Sequence, residues 1–350
     1  MEFSLFSQAL SKEIVARADE ITDEVNTLYI GGGTPSVLPL SVFENLLQSL
    51  KEHGHGGPFD EFTVEVNPED IVQKGEAYVE GLLELGVNRV SMGVQSFDDG
   101  ILRWMNRRHD AQTARRAYQV LENCGVSNIS IDLIFGLSQL SDSQWNETLD
   151  KALSISSKGS LPQHISSYQL SVEPGSALAQ LVERGQWSEA AEDLCSRQYD
   201  MLCERLRQAG YHHYEISNFA LPGFEAVHNS AYWKHSPYIG LGPGAHSFKS
   251  DVRQWNEGNI GLYLKAAETG DFSIVQGCEE LTQEQLIMEH IMLGLRTSEG
   301  VKEDFLRANC DKSQLEEALR CGNLIMEKDG RIRIPESRFF ISDSIISSII

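Results

Sequence analysis

Thr27-Leu28-Tyr29-Ile30-Gly31-Gly32-Gly33-Thr34-Pro35 decides the fold: a short apolar, β-prone run breaks directly into three glycines and a proline. Residues 27–30 predict a strand. Glycines at a strand end let the backbone approach a ligand closely and expose N–H and C=O groups to it. Pro35-Ser36 then favours a turn into the next helix. The run matches neither a P-loop nor a dinucleotide fingerprint. Upstream, Phe3, Phe6, Leu10, Ile14 and Val15 recur at helical spacing, so a helix over 3–17 feeds this strand.

Downstream the same alternation repeats. Short β-branched or apolar runs at 62–66, 89–94, 129–134 and 164–170 are interleaved with helix-like stretches at 41–53, 73–86, 111–123 and 143–155. Strands separated by amphipathic helices build a parallel sheet from βαβ units. Polar residues gather where these strands finish: Gly31 to Thr34, Glu65 and Asn67, Gln95, Asp132, and then Gln169 and Ser171. All strand C-termini of a parallel barrel or open sheet lie on one face, so these groups are expected to converge on one ligand site.

A second region is expected after residue 175, with a long helical stretch at 187–209 and an aromatic, glycine-rich section at 211–257. The tail from about 280 holds two helix-like runs before Arg331-Ile332-Arg333-Ile334, which suits a small winged-helix-like module. The expected division is 1–175, 176–275 and 276–350.

The chain's 350 residues, 41% hydrophobic and 23% charged, suit one large domain plus a smaller one, able to bury a sizeable core. A formal charge of −22 repels phosphate backbones and anionic lipid, so nucleic acid is not expected as a partner. Met1-Glu2-Phe3-Ser4-Leu5-Phe6 lacks the basic and apolar regions of a secretory signal, and no run approaches a membrane span. The expectation is a cytoplasmic protein with no integral membrane segment. The six cysteines, Cys124, Cys195, Cys203, Cys278, Cys310 and Cys321, are widely spaced, and no pair shows C-x2-C or C-x3-C spacing. They are expected as reduced thiols, with Cys124, Cys195 and Cys203 buried.

The wording of the sequence carries further. YIGGGTPSVL, VEVNPED, GVNRVSMGVQSFDD, NRRHD, SIDLIFGL, SSYQLSVEPG and YIGLGPGAHSF occur in that order. The series resembles the segments of the HemN/HemW family of radical-SAM proteins, from about residue 3 to the C-terminus. The resemblance implies an α/β fold, an incomplete radical-SAM (β/α) barrel with a C-terminal α+β accessory region. It also implies that Gly32, Gly33, Thr34, Glu65, Gln95, Arg107 and Asp132 bind S-adenosylmethionine. Carboxylates can hold an ammonium or ribose hydroxyls while an arginine pairs with a carboxylate. Arg107 and Arg108 judged alone also suit a solvated basic patch. Ser138 stands where the family usually has proline.

His228-Asn229-Ser230-Ala231-Tyr232-Trp233 resembles the HNxxYW segment of the HemW-type haem chaperones. It implies haem binding by His228, Asn229, Tyr232 and Trp233, with His228 a possible haem-iron ligand and His213, His235 and His246 as other candidates. The implied function is haem delivery to an acceptor protein; the alternative is oxygen-independent coproporphyrinogen III oxidase chemistry. Radical-SAM turnover needs a C-x3-C-x2-C loop for its iron-sulfur cluster, and none is present. In the family that loop and its strand would lie upstream of Met1. A natural cluster-less homologue and a truncated sequence both fit, truncation being favoured because a lost strand exposes a sheet edge. As written, the chain is not expected to cleave S-adenosylmethionine.

Overall fold

The computed structural model describes residues 3–21 and 24–350, so Met1 and Glu2 of the N-terminal segment lie outside the described residues. The central element is a curled half-barrel sheet of seven strands. β1 (Thr27–Ile30), β2 (Glu61–Val66), β3 (Arg89–Gln95), β4 (Ile129–Phe135) and β5 (His164–Gln169) are parallel neighbours in chain order. The sheet continues beyond residue 175: β6 (His212–Glu215) and β7 (Asn218–Ala220) add two antiparallel strands, giving the order β1-β2-β3-β4-β5-β7-β6.

Alternation along each strand sorts the two faces. Phe62, Val64 and Val66, Val90, Met92 and Val94, and Ile129, Ile131, Leu133 and Phe135 are buried in one core beneath the outer helices. The intervening Thr63 and Glu65, Ser91 and Gly93, and Ser130 and Asp132 therefore point to the concave side. Parallel register aligns them into rows, with Glu65 opposite Ser91, Ser91 opposite Ser130 and Asp132 opposite Ser166.

The outer helices include α1 (Phe3–Arg17), α2 (Leu40–Glu52), α3 (Pro68–Lys74), α4 (Glu76–Glu84), α5 (Asp99–Trp104), α6 (Ala111–Asn123) and α7 (Asp142–Leu153). The single helix expected over 73–86 is two, because Gly75 takes φ 71° and ψ −168°, ending α3 and opening α4. The short α5 had no sequence forecast; Asp98 caps it, accepting from the Ile101 N–H at 2.9 Å. The stretch expected as helix over 187–209 begins later, as α9 (Glu192–Gln208), after a separate α8 (Ala177–Glu183) that ends before Gly185 at φ 64°.

The accessory region contributes α10 (Val227–Trp233), strands β8 (His246–Lys249), β9 (Val252–Asn256) and β10 (Gln276–Glu280), and α11 (Ile260–Thr269). The three strands form an antiparallel sheet in the order β10-β9-β8. α1 is the bridge to the sheet: Leu10 and Ile14 pack on Leu46 and Leu50 of α2, while Ala9 packs on Tyr263, Ala266 and Ala267 of α11.

Three helices, not two, precede the final hairpin: α12 (Gln283–Leu295), α13 (Glu303–Asn309) and α14 (Lys312–Arg320). With β11 (Val301–Lys302), β12 (Ile325–Met326) and β13 (Arg331–Arg333) in the antiparallel order β11-β13-β12, they have a winged-helix arrangement, which α15 (Ser342–Ile349) follows. Among the described residues no helix is long and apolar enough to cross a membrane.

Candidate functional site

An open cleft of about 340 Å³ lies where the parallel strands end. Gly32, Gly33, Thr34, Glu65, Gln95, Arg107 and Asp132 all line it, together with Asn67, Ser91, Gly93 and Tyr168. The glycine turn gives it an open rim: Gly32 holds φ 105°, and a Cβ at Gly32 or Gly33 would have no atom within 4 Å. Thr34 Oγ1 donates to the Gly33 carbonyl at 2.6 Å and accepts from Asn67 Nδ2 at 3.4 Å.

Glu65 stands at the centre. Its Oε1 accepts the Tyr29 phenol at 2.5 Å and its Oε2 accepts the Gly32 N–H at 3.1 Å. Burial, and then the Glu65 carboxylate, push the Tyr29 phenol above its usual range, so it remains a donor. Asp132 accepts from Ser91 Oγ at 3.1 and 3.2 Å. Burial raises its carboxyl to about 6, against the lowering effect of its serine hydrogen bonds.

Arg107 crosses the cleft floor, donating to Asn67 Oδ1 at 2.7 Å and to the Gly93 carbonyl at 3.2 Å. Gly93 makes room for it, since a Cβ there would meet the Arg107 guanidinium at 3.3 Å and Gln95 Nε2 at 3.0 Å. Gln95 carries φ 66°, an uncommon conformation for a side-chain-bearing residue, held where the strand turns into the site. Arg108 instead pairs outside the cleft with Glu69 at 2.8 Å and Asp70 at 3.3 Å. Two carboxylates, one guanidinium and open backbone groups suit a ligand bearing an ammonium, a carboxylate and hydroxyls.

The fifth strand meets the cleft through Tyr168 and not through Gln169 or Ser171. Gln169 points the other way, towards Gly136, and Ser171 donates to Glu173 at 3.0 Å. Tyr29, Ser91 and Tyr168 were not among the expected site residues; alternation from Glu65 and Asp132 across the register is the signal that finds them.

α10 places the HNxxYW residues against the start of the same sheet. Glu61 accepts the N–H groups of Val227 at 2.8 Å and His228 at 3.1 Å, anchoring the helix's first turn. The His228 ring stacks on Tyr29, with centroids 5.1 Å apart and planes 17° apart. Its Nδ1 is 2.7 Å from Thr27 Oγ1 and its Nε2 is 2.8 Å from the Tyr232 hydroxyl. Burial lowers the His228 pKa, keeping the imidazole neutral at neutral pH. Asn229 Nδ2 donates to the buried Glu215 at 3.3 Å, and Trp233 Nε1 is buried without a partner among the described residues.

The other histidines are differently placed. His213 is buried against Phe219 at 4.0 Å between ring centroids, its pKa lowered to about 3 by burial. His235 meets Glu289 at 3.0 Å, and His246 is exposed beside Trp255. Of the three thiols expected to be buried, Cys195 is, whereas Cys124, the C-cap of α6, and Cys203, within α9, are half-buried. Among the described residues no group of three His, Cys, Asp or Glu could hold a metal ion.

Residues 9–152 match the radical SAM superfamily. The chain is 36% identical over 279 residues to the heme chaperone HemW of Lactococcus lactis, covering 80% of this chain and 71% of that protein. The chain belongs to the HemW family of radical-SAM proteins. A second relative, the heme chaperone HemW of Synechocystis, is 32% identical over 300 residues, covering 85% and 70%. The fold is that of coproporphyrinogen III oxidase (HemN) from Escherichia coli, with a TM-score of 0.78 over 99% of this chain and 83% of that one at 21% identity. For the HemW family's superfamily cofactors, the residues present divide. The cleft's donors and acceptors fit S-adenosylmethionine, whereas the six cysteines, none within reach of two others in sequence, do not supply an iron-sulfur cluster site.

Proposed function

We propose that the chain binds haem through the α10 helix and hands it to an acceptor protein, on a scaffold whose cleft takes S-adenosylmethionine. The observation that carries this reading is the setting of His228: a neutral imidazole fixed by Thr27 on one nitrogen and facing a half-exposed tyrosine on the other. Haem-iron ligands commonly have one ring nitrogen hydrogen-bonded and the other free for the metal. Here Nδ1–H donating to Thr27 Oγ1 would leave the Nε2 lone pair for iron once the Tyr232 hydroxyl, 39% exposed on its residue, swings aside. Tyr232 and Tyr238, edge to face at 4.8 Å, offer an aromatic wall beside that position.

When bound, S-adenosylmethionine would supply an adenosyl group and a sulfonium to the cleft. The chain's own residues would hold its amino-acid end and ribose: Glu65 and Asp132 as acceptors, Arg107 as the carboxylate partner. Likeness to HemN at 21% identity is likeness of fold and does not favour porphyrinogen decarboxylation here.

The test is a haemin titration followed in the Soret band, comparing the chain with His228→Ala. Saturable one-to-one binding weakened about tenfold or more by the substitution supports the site. The imidazole must be neutral to ligate, and burial holds its pKa below the usual histidine value. Affinity should therefore persist as pH falls to ~6.5 and decline only below it. No saturable binding, or binding indifferent to His228→Ala, removes the reading. Transfer is tested by mixing the loaded chain with an apo-haemoprotein and following the Soret shift.

A further inference from the structure

We infer that Tyr29 is a positioning residue linking the cleft to His228, so that ligand occupancy at Glu65 and iron ligation at His228 are thermodynamically coupled. The second ligand in this statement rests on the haem reading above.

Tyr29 touches both sites. Its hydroxyl donates to Glu65 Oε1 at 2.5 Å, and its ring stacks on the His228 imidazole at 5.1 Å. Thr27, two residues earlier on the same face of β1, holds the other side of the imidazole at 2.7 Å. One strand face thus fixes His228 and reports the state of the cleft carboxylate. The backbone is shaped around the contact: a Cβ at Gly31 would lie 2.4 Å from Tyr29 Cε1 and 2.8 Å from Glu65 Oε1. Such crowding admits only glycine without displacing the phenol or the carboxylate.

Both Glu65 oxygens already accept protein donors, Tyr29 on one and Gly32 on the other. A ligand presenting an ammonium or hydroxyls to Glu65 competes with Tyr29 for the same charge. Weakening that charge-assisted bond releases the ring that packs on His228, and the imidazole must itself move off Tyr232 to meet iron. Linkage is reciprocal, so haem on His228 alters affinity in the cleft by the same factor.

The experiment uses S-adenosylmethionine itself as the cleft probe and haemin as the iron probe, on the whole chain and on Tyr29→Phe. The phenylalanine keeps the ring and its stack but removes the hydroxyl. Haemin dissociation constants are measured in the Soret band with and without saturating S-adenosylmethionine, whose own binding is followed by calorimetry. Separately, ring resonances of ¹⁵N-histidine-labelled protein, with His228 assigned through His228→Ala, are followed on adding S-adenosylmethionine without haem.

The expected result is a shift of the haemin constant by on the order of fivefold or more and movement of the His228 resonance, both abolished by Tyr29→Phe. Independent binding of the two ligands, with haemin still His228-dependent, overturns the coupling and leaves the haem reading standing. A His228 resonance that responds through Tyr29 in a chain that binds no haemin supports the link and removes the haem reading. S-adenosylmethionine failing to bind, binding without moving that resonance, or moving it equally in Tyr29→Phe overturns the inference.

Discussion

Replacing Glu13, a carboxylate with no exposed surface in the middle of α1, should detach the N-terminal helix from the accessory region. Its Oε1 accepts Asn256 Nδ2 at 2.7 Å and Arg17 Nη1 at 3.2 Å; its Oε2 accepts the Gly242 N–H at 2.8 Å and the Tyr263 hydroxyl at 2.6 Å. Two of these donors have other acceptors, since Asn256 also donates to the Gly242 carbonyl and Arg17 to Glu20 and the Gly240 carbonyl. In Glu13→Ala the Gly242 N–H and the buried Tyr263 hydroxyl are left unsatisfied. At roughly 1–3 kcal/mol for each orphaned group, the cost is about 4 kcal/mol. For a chain of this length that is a fall in Tm of roughly 5 °C. The isosteric Glu13→Gln should do nearly as badly, because all four neighbours donate and an amide in either orientation turns its own donors on two of them. Tyr263→Phe, which removes one donor and leaves the carboxylate three, should cost only about 1–2 kcal/mol. Urea denaturation of the three variants measures the series. Glu13→Gln as stable as the parent to within about 0.5 kcal/mol would refute the reasoning, because charge-assisted acceptance would then be irrelevant to the anchor.

Arg107→Lys should weaken S-adenosylmethionine binding by about tenfold or more in calorimetry, since a single ammonium cannot span Asn67 and the Gly93 carbonyl while facing a ligand; an unchanged constant counts against the cleft assignment. Glu215 is fully buried and its carboxyl is raised to about 7, chiefly by desolvation. The folded state therefore holds a proton that the unfolded state has lost between pH ~4.5 and about 7, and stability falls as pH rises through that window by on the order of 3 kcal/mol. Glu215→Gln should flatten that fall in urea midpoints taken at pH 5 and pH 8, whereas parallel profiles for parent and variant would exclude it.

The sheet was legible because buried parallel strands leave short β-branched runs between amphipathic helices, and five of these fall within a residue or so of the observed β1 to β5. β6 and β7 escaped, since His212 to Ala220 offers two very short antiparallel strands whose place depends on tertiary pairing with β5. The division of 73–86 escaped because a helical period runs across Gly75, whose left-handed φ is a backbone property and not a hydrophobic one. At the site, the glycine turn and the polar residues ending the second, third and fourth strands could be read directly, and they do share one cleft, whereas Gln169 and Ser171 stay outside it. Tyr29, Ser91 and Tyr168 could not, because a mid-strand tyrosine or serine looks like any β-former until register shows which face it occupies. The same parity explains Gln169, which sits one residue past Tyr168 and so on the opposite face.

The two ends of the barrel interior differ in how much of their polar capacity the protein itself consumes, and this bears on where ligands can enter. At the N-terminal ends of the strands, Glu61 is taken up by the first turn of α10, and the buried His164 is held between Ser130 Oγ and the Tyr214 hydroxyl, each at 2.8 Å. Burial lowers His164 well below its usual pKa, so it sits there as a neutral structural group. At the C-terminal ends, Gly32 and Gly33 face open space and Asp132 is engaged through serine hydroxyls that leave its acceptors capacity to spare. A polar ligand at the C-terminal end therefore finds spare acceptor capacity on Asp132 and competes with Tyr29 and the Gly32 N–H at Glu65. The first turn of α10 sits at the N-terminal end, held on the Glu61 carboxylate. On the proposed haem reading, iron would meet His228 on the side where Val227 and Tyr232 are 47% and 39% exposed, displacing the Tyr232 hydroxyl from Nε2. Haem and the cleft ligand would then both act on Tyr29, one through the His228 ring stacked on it and the other through the Glu65 carboxylate it donates to.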